Sequence, residues 1–310
     1  MDDSKWTASR IPDQTGRTFV VTGANSGLGL ATSRQLARRG AHVIMAVRDE
    51  TKGRQAIAEL TAAQPDARLE LRRVDLADLD SVRAFADRIH ADGVSVDVLV
   101  NNAGVMMPPR TLSPQGHEIQ LAANHLGHFA LTGLLLGSLR HHDDPRVVNI
   151  SSILHRRGRI RFDDLTGARK YSPLAFYAQS KFATTLFGLE LDRRLRASGS
   201  PVRSVLAHPG YTATNLQSSA PTGLTKLLGG FTNRLLGQDV EVGALPQLYA
   251  ATDPGAEGGE FIGPDGVGES RGHPTRVRPV ASAEDPATAV RFWKLSEELT
   301  GVCYDLPAAV

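Results

Sequence analysis

The 310 residues predict a doubly wound α/β fold, a parallel sheet with helices on both faces in a single domain. Three observations carry this. Short apolar runs alternate with helix-patterned stretches from about residue 19 to residue 207. The first run ends in a glycine-rich turn that opens a helix. Polar and small residues fall at the ends of later runs, and the carboxyl ends of parallel strands are where open α/β sheets bind ligands.

In order, residues 19–21 form the first strand and 28–39 the first helix, which Gly40 ends. Residues 43–47 are the second strand, and Asp49 caps a helix running to residue 60. A strand over 69–74, a helix over 78–90 and a strand over 96–100 follow. A long helix fills 119–139, the fifth strand spans 147–150, a second long helix spans 175–196, and the sixth strand spans 202–207. Right-handed crossovers then give the doubly wound order. Beyond His208 the pattern loosens. Leu224, Leu227, Leu228, Phe231, Leu235 and Leu236 recur at helical spacing and read as a helix docked on the core, or as a lid over an apolar pocket in a substrate-loop region over 212–237. Residues 252–310 read as an irregular C-terminal region around one short strand at 260–262.

Composition excludes several classes. With 41% apolar and 22% charged residues the chain is globular, not disordered. A formal charge of +2 with no basic run argues against nucleic acid. No apolar stretch suffices for a membrane span or a signal peptide. The single cysteine, Cys303, cannot form an internal disulfide, so a reducing, cytoplasmic location is expected. His141, His142, Asp143 and Asp144 form a short cluster that reads as a solvated turn, so no metal site is expected. His125 and His128 read as core or surface residues, and Asp163 and Asp164 as exposed.

The turn Gly23-Ala24-Asn25-Ser26-Gly27-Leu28-Gly29 lies between the first strand and first helix. Missing side chains let backbone approach a pyrophosphate, and the helix N-terminus offers free N–H groups and a positive dipole end. The second strand ends at Val47-Arg48, where an acidic residue would bond a ribose 2′-hydroxyl in an NAD site. Arg48 instead suits a 2′-phosphate, with Lys52 adding charge, so NADP(H) is expected over NAD(H). Asp75 and Leu76 close the third strand, and Asn101, Asn102, Ala103 and Gly104 the fourth. They read as a wall beside the adenine.

Tyr177 and Lys181 lie four apart on one helix face. A phenol has a reference pKa of about 10, and a neighbouring ammonium lowers it toward useful acid/base chemistry. Ser152 follows the fifth strand, where a serine can hydrogen-bond a substrate oxygen, and Asn124 sits in the helix before that strand.

Taken together, residues 22–29, 101–104, Asn124, Ser152, Tyr177 and Lys181 resemble the short-chain dehydrogenase/reductase family over roughly residues 15–250. The resemblance implies a Rossmann-type sheet of about seven strands in one NADP-binding domain over 1–310. It implies Tyr177 as catalytic acid/base and Ser152 as the residue polarising the substrate oxygen. Lys181 would bind the nicotinamide ribose and lower the Tyr177 pKa, and Asn124 would support a water-mediated proton relay to Lys181. By the same resemblance Pro209, Gly210, Thr212 and Thr214 contact the nicotinamide carboxamide. Ser152 and Tyr177 stand 25 residues apart, and the intervening stretch resembles the retinol-dehydrogenase-like branch, which includes protochlorophyllide-reductase relatives. A pocket built from Met106, Met107, Pro108, the insertion and 212–237 suits a small lipophilic ketone, aldehyde or alcohol. Reduction of a carbon–carbon double bond, or NADP sensing without catalysis, is the alternative reading. Relatives pair their long helices, so a homodimer is one expectation, with the insertion standing against that surface.

Overall fold

The computed structural model describes residues 5–139, 143–211 and 238–306. Thr212, Thr214, the helix expected over 224–236, the substrate-loop region, His141 and His142 lie outside the described residues.

The elements alternate as the apolar pattern requires. β1 (Thr18–Thr22), α1 (Gly27–Arg38), β2 (His42–Val47), α2 (Glu50–Ala63), β3 (Arg68–Arg73), α3 (Leu79–Ala91) and β4 (Val98–Asn101) form the first half. The second half opens with α4 (Ile119–Leu121), a π turn (Ala122–Leu126) and α5 (Gly127–Leu139), followed by β5 (Arg146–Ile150), α6 (Pro173–Ala197) and β6 (Arg203–Ala207). After Gln238 come α7 (Val240–Gly243), α8 (Leu245–Thr252), β7 (Phe261–Pro264), β8 (Pro274–Val277) and α9 (Pro286–Thr300). Among the described residues the sheet order is β3-β2-β1-β4-β5-β6-β7-β8, parallel except for β8. The order reverses between β1 and β4, which opens a ligand crevice at the carboxyl edge there.

Central strands are buried on both faces, as a sheet covered by helices demands. Alternate residues enter two cores. Val20, Ile44, Leu99 and Val147 pack with α3 and α5, and Phe19, Val21, Met45, Val100 and Val148 pack with α1 and α8.

The C-terminal region corrects the sequence reading. Residues 252–306 carry two strands and a long helix rather than an irregular chain around one strand, and among the described residues the sheet has eight strands rather than about seven. β8 is a four-residue edge strand starting at a proline, a position where a missing N–H does no harm, and its glycine- and proline-rich surroundings mask it. α9 carries signals that the sequence did offer. Asp285 caps Ala287 and Thr288 N–H, Pro286 stands in the first turn, and Gly301 ends the helix in the left-handed region (φ 63°). Its Phe292 and Trp293 pack onto α5 and α6 beside Phe129 and Phe187.

At the opposite, amino edge of the sheet, Asp144 is more than a solvated turn residue. Its carboxylate receives Arg146 Nε at 3.0 Å and Nη2 at 2.6 Å, and also pairs with Arg203. Arg146 is fully buried and gives its remaining nitrogen to Ala250 O at 3.0 Å. Arg17 donates to the Asp144 carbonyl at 2.8 Å. This network ties the starts of β1, β5 and β6 to the end of α8.

Candidate active site

The segments that follow β1, β2, β4, β5 and β6 meet along the carboxyl edge of the sheet. In the first of them, Gly23 adopts φ 67° and Gly27 φ 52°, the left-handed region that favours glycine. A Cβ on Gly29 would collide with the Gly23 carbonyl and fall 2.6 Å from Asn102 Nδ2, so the turn closes only without side chains. Ser26 caps α1 without a side-chain bond, and Leu30 N–H bonds back to the Ser26 carbonyl, which leaves the first-turn amides aimed outward. A bare strand–turn–helix cradle of this kind fits a dinucleotide pyrophosphate.

At the end of β2, Val47 is buried and Arg48 is exposed, and Arg48 makes no hydrogen bond or ion pair with another described residue. Asp49 is committed elsewhere. Its carboxylate accepts from Thr51 and Lys52 N–H at 3.1 Å as the cap of α2. Lys52 Nζ lies 3.7 Å from that carboxylate, so its charge is partly met within the helix turn. Asp75 is half-buried and accepts from Ala77 N–H, whereas the Leu76 side chain is packed in the core.

The segment after β4 splits in two. Asn101 turns inward to Thr132 and Asn149 at 3.0 Å each, away from any adenine wall. Asn102 faces the glycine turn and donates to Thr22 O at 2.8 Å. Thr22 Oγ1 accepts from both Asn102 and Ala103 N–H at 2.9 Å. His128 completes this knot. Its Nδ1 meets the Asn124 carbonyl at 3.1 Å, so that nitrogen carries the proton and Nε2 accepts from Thr22 at 2.9 Å. Burial pushes His128 down to about 4, which keeps it in this neutral form. The sequence reading took His128 as a bland core or surface residue; its place four residues after Asn124 was the available signal. Gln247 of α8, which also bonds Asn102, gave no sequence signal.

Asn124 sits in the π turn, a helix irregularity that frees it from regular pairing. Its amide clasps both backbone groups of Val105, at 2.7 and 2.9 Å, and reaches Ser180 Oγ at 2.9 Å. Gly104 stands between it and Lys181: a Cβ there would lie 3.1 Å from Asn124 Oδ1 and 3.7 Å from Lys181 Nζ. Lys181 is buried, and its Nζ donates to Ile150 O at 2.8 Å, keeping other protons for the site.

Tyr177 is 5% exposed, and Lys181 Nζ lies 6.0 Å from its ring centre. Burial pushes the phenol up to about 12, with the Ser152 hydroxyl bond pulling the other way. Lys181 does not lower the phenol as expected, and burial brings Lys181 itself down to about 8. Ser152 is half-buried, accepts from Leu154 N–H at 3.2 Å and is the hydroxyl that meets Tyr177. Ser151 instead turns into the core toward Lys181 O and Thr185. His155 fixes the segment: Val280 N–H donates to its Nε2, so its Nδ1–H donates to Ser152 O at 2.7 Å. After β6, His208 accepts from Gly210 N–H and donates to Glu269 at 2.9 Å, which holds the Pro209-Gly210 segment at the same edge. Among the described residues no three His, Cys, Asp or Glu side chains group as metal ligands would.

Comparison with known proteins agrees with this geometry. The short chain dehydrogenase family model matches residues 17–224. The chain is 40% identical to retinol dehydrogenase 12 of Bos taurus over 94% of this chain and 88% of that protein. It is 40% identical to polyprenol dehydrogenase of Mus musculus, over 94% of this chain and 86% of that one. A solved structure of a putative uncharacterized protein from Mycobacterium Paratuberculosis superposes with a TM-score of 0.81 at 44% identity, covering 98% of this chain and 100% of that one. The chain belongs to the short-chain dehydrogenase family, in its retinol-dehydrogenase-like branch. It is an oxidoreductase on a fold that binds a nicotinamide cofactor.

Proposed function

We propose that this protein is an NADP(H)-dependent oxidoreductase acting on a lipophilic ketone, aldehyde or alcohol, with Tyr177 as its acid/base. The observation that carries the reading is the juxtaposition of Tyr177, Ser152 and Lys181 beside Gly104 at the ligand edge of the sheet. Similarity to proteins named for retinol and polyprenol supports a lipophilic alcohol or its carbonyl as substrate.

The nicotinamide, when bound, supplies a hydride to a carbonyl carbon or takes one from an alcohol carbon. This chain's residues manage the oxygen. In reduction the Tyr177 O–H bond breaks and its proton goes to the substrate oxygen. The Ser152 hydroxyl donates to that oxygen as negative charge grows there. The Lys181 ammonium stabilises the phenolate left behind, and Asn124 supports resupply of the proton through water. A phenol pushed up to about 12 stays protonated near neutrality, which suits reduction. Oxidation needs the phenolate, so alcohol oxidation should accelerate as pH rises above neutrality while reduction does not; rate profiles in both directions check this.

Arg48 carries the cofactor choice, because it is an exposed guanidinium that pairs with no other described residue and stands at the strand end where a 2′-phosphate would lie. Arg48→Ala should weaken NADPH binding about 10- to 100-fold, the worth of a charged hydrogen bond, and leave NADH binding nearly unchanged. Fluorescence titration with each cofactor measures both, and an unaltered NADPH affinity would overturn the assignment. A reducing, cytoplasmic location belongs to the same proposal. Among the described residues no helix is long and apolar enough to cross a membrane.

A further inference from the structure

We propose that Glu118 is a neutral carboxylic acid that, through Tyr171, clamps the 106–108 segment as a wall of the substrate site, making Glu118 and Tyr171 positioning residues. This rests on the reading above that the segment faces substrate, since it leaves Gly104 beside Lys181.

The segment needs holding. Met107 adopts φ 52°, a left-handed conformation that strains a side-chain-bearing residue. Its N–H is held by Gln120 Oε1 at 2.8 Å. The Gln120 amide is therefore oriented, and its Nε2 donates to Tyr171 Oη and to Pro173 O, both at 3.1 Å. Tyr171 comes from the insertion before α6, and its ring packs on Phe176 with centres 4.9 Å apart.

Proton counting then decides the state of Glu118. Tyr171 Oη lies 3.0 Å from Pro108 O and 3.2 Å from Glu118 Oε1. A phenol has one proton, and Gln120 already donates to its oxygen. Pro108 O can only accept. If Glu118 were ionised, two acceptors would compete for one proton, and whenever Pro108 O took it the buried carboxylate oxygen would face the phenol oxygen unpaired, which is costly for a buried charge. A protonated Glu118 removes the conflict. Its O–H donates to Tyr171, Tyr171 donates to Pro108 O, and Glu118 Oε2 still accepts from Leu121 N–H at 2.9 Å. The carboxyl is 0% exposed, and burial raises its pKa, outweighing the hydrogen bonds from Leu121 and Gln120 N–H, Tyr171 and the Gln120 side chain that act the other way. Among the described residues no cation pairs with it. Arg110, whose charge reaches Tyr171, donates to Thr166 O, and His117 meets Leu299 O. Raising the pH until Glu118 ionises should draw the Tyr171 proton away from Pro108 and loosen the segment.

The test needs neither substrate nor cofactor, so its failure is separable from failure of the proposed function. Amide hydrogen exchange over 105–107 and the infrared spectrum are compared in the native protein, Tyr171→Phe and Glu118→Gln. At neutral pH the native spectrum should contain a protonated-carboxyl stretch that Glu118→Gln removes. Exchange should be about tenfold faster in Tyr171→Phe, the effect of one lost hydrogen bond. It should stay slow in Glu118→Gln, whose amide donates to Tyr171 and accepts from Leu121 as the neutral acid does. Corrected for intrinsic rates, exchange should quicken with rising pH in the native protein but not in Glu118→Gln. A native spectrum lacking that band, or a Glu118→Gln protein exchanging as fast as Tyr171→Phe, would overturn the proposal.

Discussion

Tyr177→Phe should lower the turnover rate by about 10²- to 10⁴-fold, the range that a positioned proton donor contributes. The substitution removes one oxygen and keeps the ring, which is buried beside the catalytic segment. NADPH affinity should stay within about twofold of the native value, because the proposed binding rests on the glycine turn, Arg48 and Lys181 rather than on the phenol. Steady-state kinetics with a fluorescence titration of the same preparation reads both quantities. A variant with native turnover would remove Tyr177 from the chemistry. A variant that lost cofactor binding as well would mean that the phenol holds the site together.

Asp144→Ala should cost about 3–5 kcal/mol of stability, the penalty for leaving a buried charge unpaired. Arg146 is fully buried, and Asp144 satisfies two of its nitrogens and pairs with Arg203 as well. Set against a total of about 5–15 kcal/mol, this is a large fraction. The expected readout is a lower urea midpoint with an unchanged slope. An unchanged midpoint would mean that water serves Arg146 as well as the carboxylate does. The pH dependence follows in sign. Burial alone would raise the carboxyl, but hydrogen bonds and charge from Arg146 and Arg203 outweigh it and hold it at about 2. The unfolded value is about 3.9. This contribution is therefore complete above about pH 4 and is lost as pH falls toward 2.

The α/β order was legible because its signals are local. Apolar runs of three to six residues marked β1, β2, β4, β5 and β6, and the glycine turn needed no partner to be recognised. Tyr177 and Lys181 were legible through helical spacing, and Ser152 through its position at a strand end. What stayed hidden depends on distant contacts. Nothing near Asn101 says that its amide turns inward to Asn149, while Asn102 next to it turns to the glycine turn. The state of Tyr177 was misjudged for a related reason: spacing reveals the lysine neighbour but not the burial that raises the phenol. Likewise Asp144 reads as a loop residue until Arg146 and Arg203 are seen converging on it. α9 is a different case, since Asp285-Pro286 and Gly301 bracket it plainly and the irregular neighbourhood drew attention away.

The most direct test of the central claim is product analysis with purified protein, NADPH and a lipophilic ketone or aldehyde that also carries a carbon–carbon double bond. The account predicts that the carbonyl becomes an alcohol, in step with the NADPH consumed, while the double bond survives. A product with its carbonyl intact and its double bond saturated, or no NADPH consumption across a range of such substrates, would contradict it.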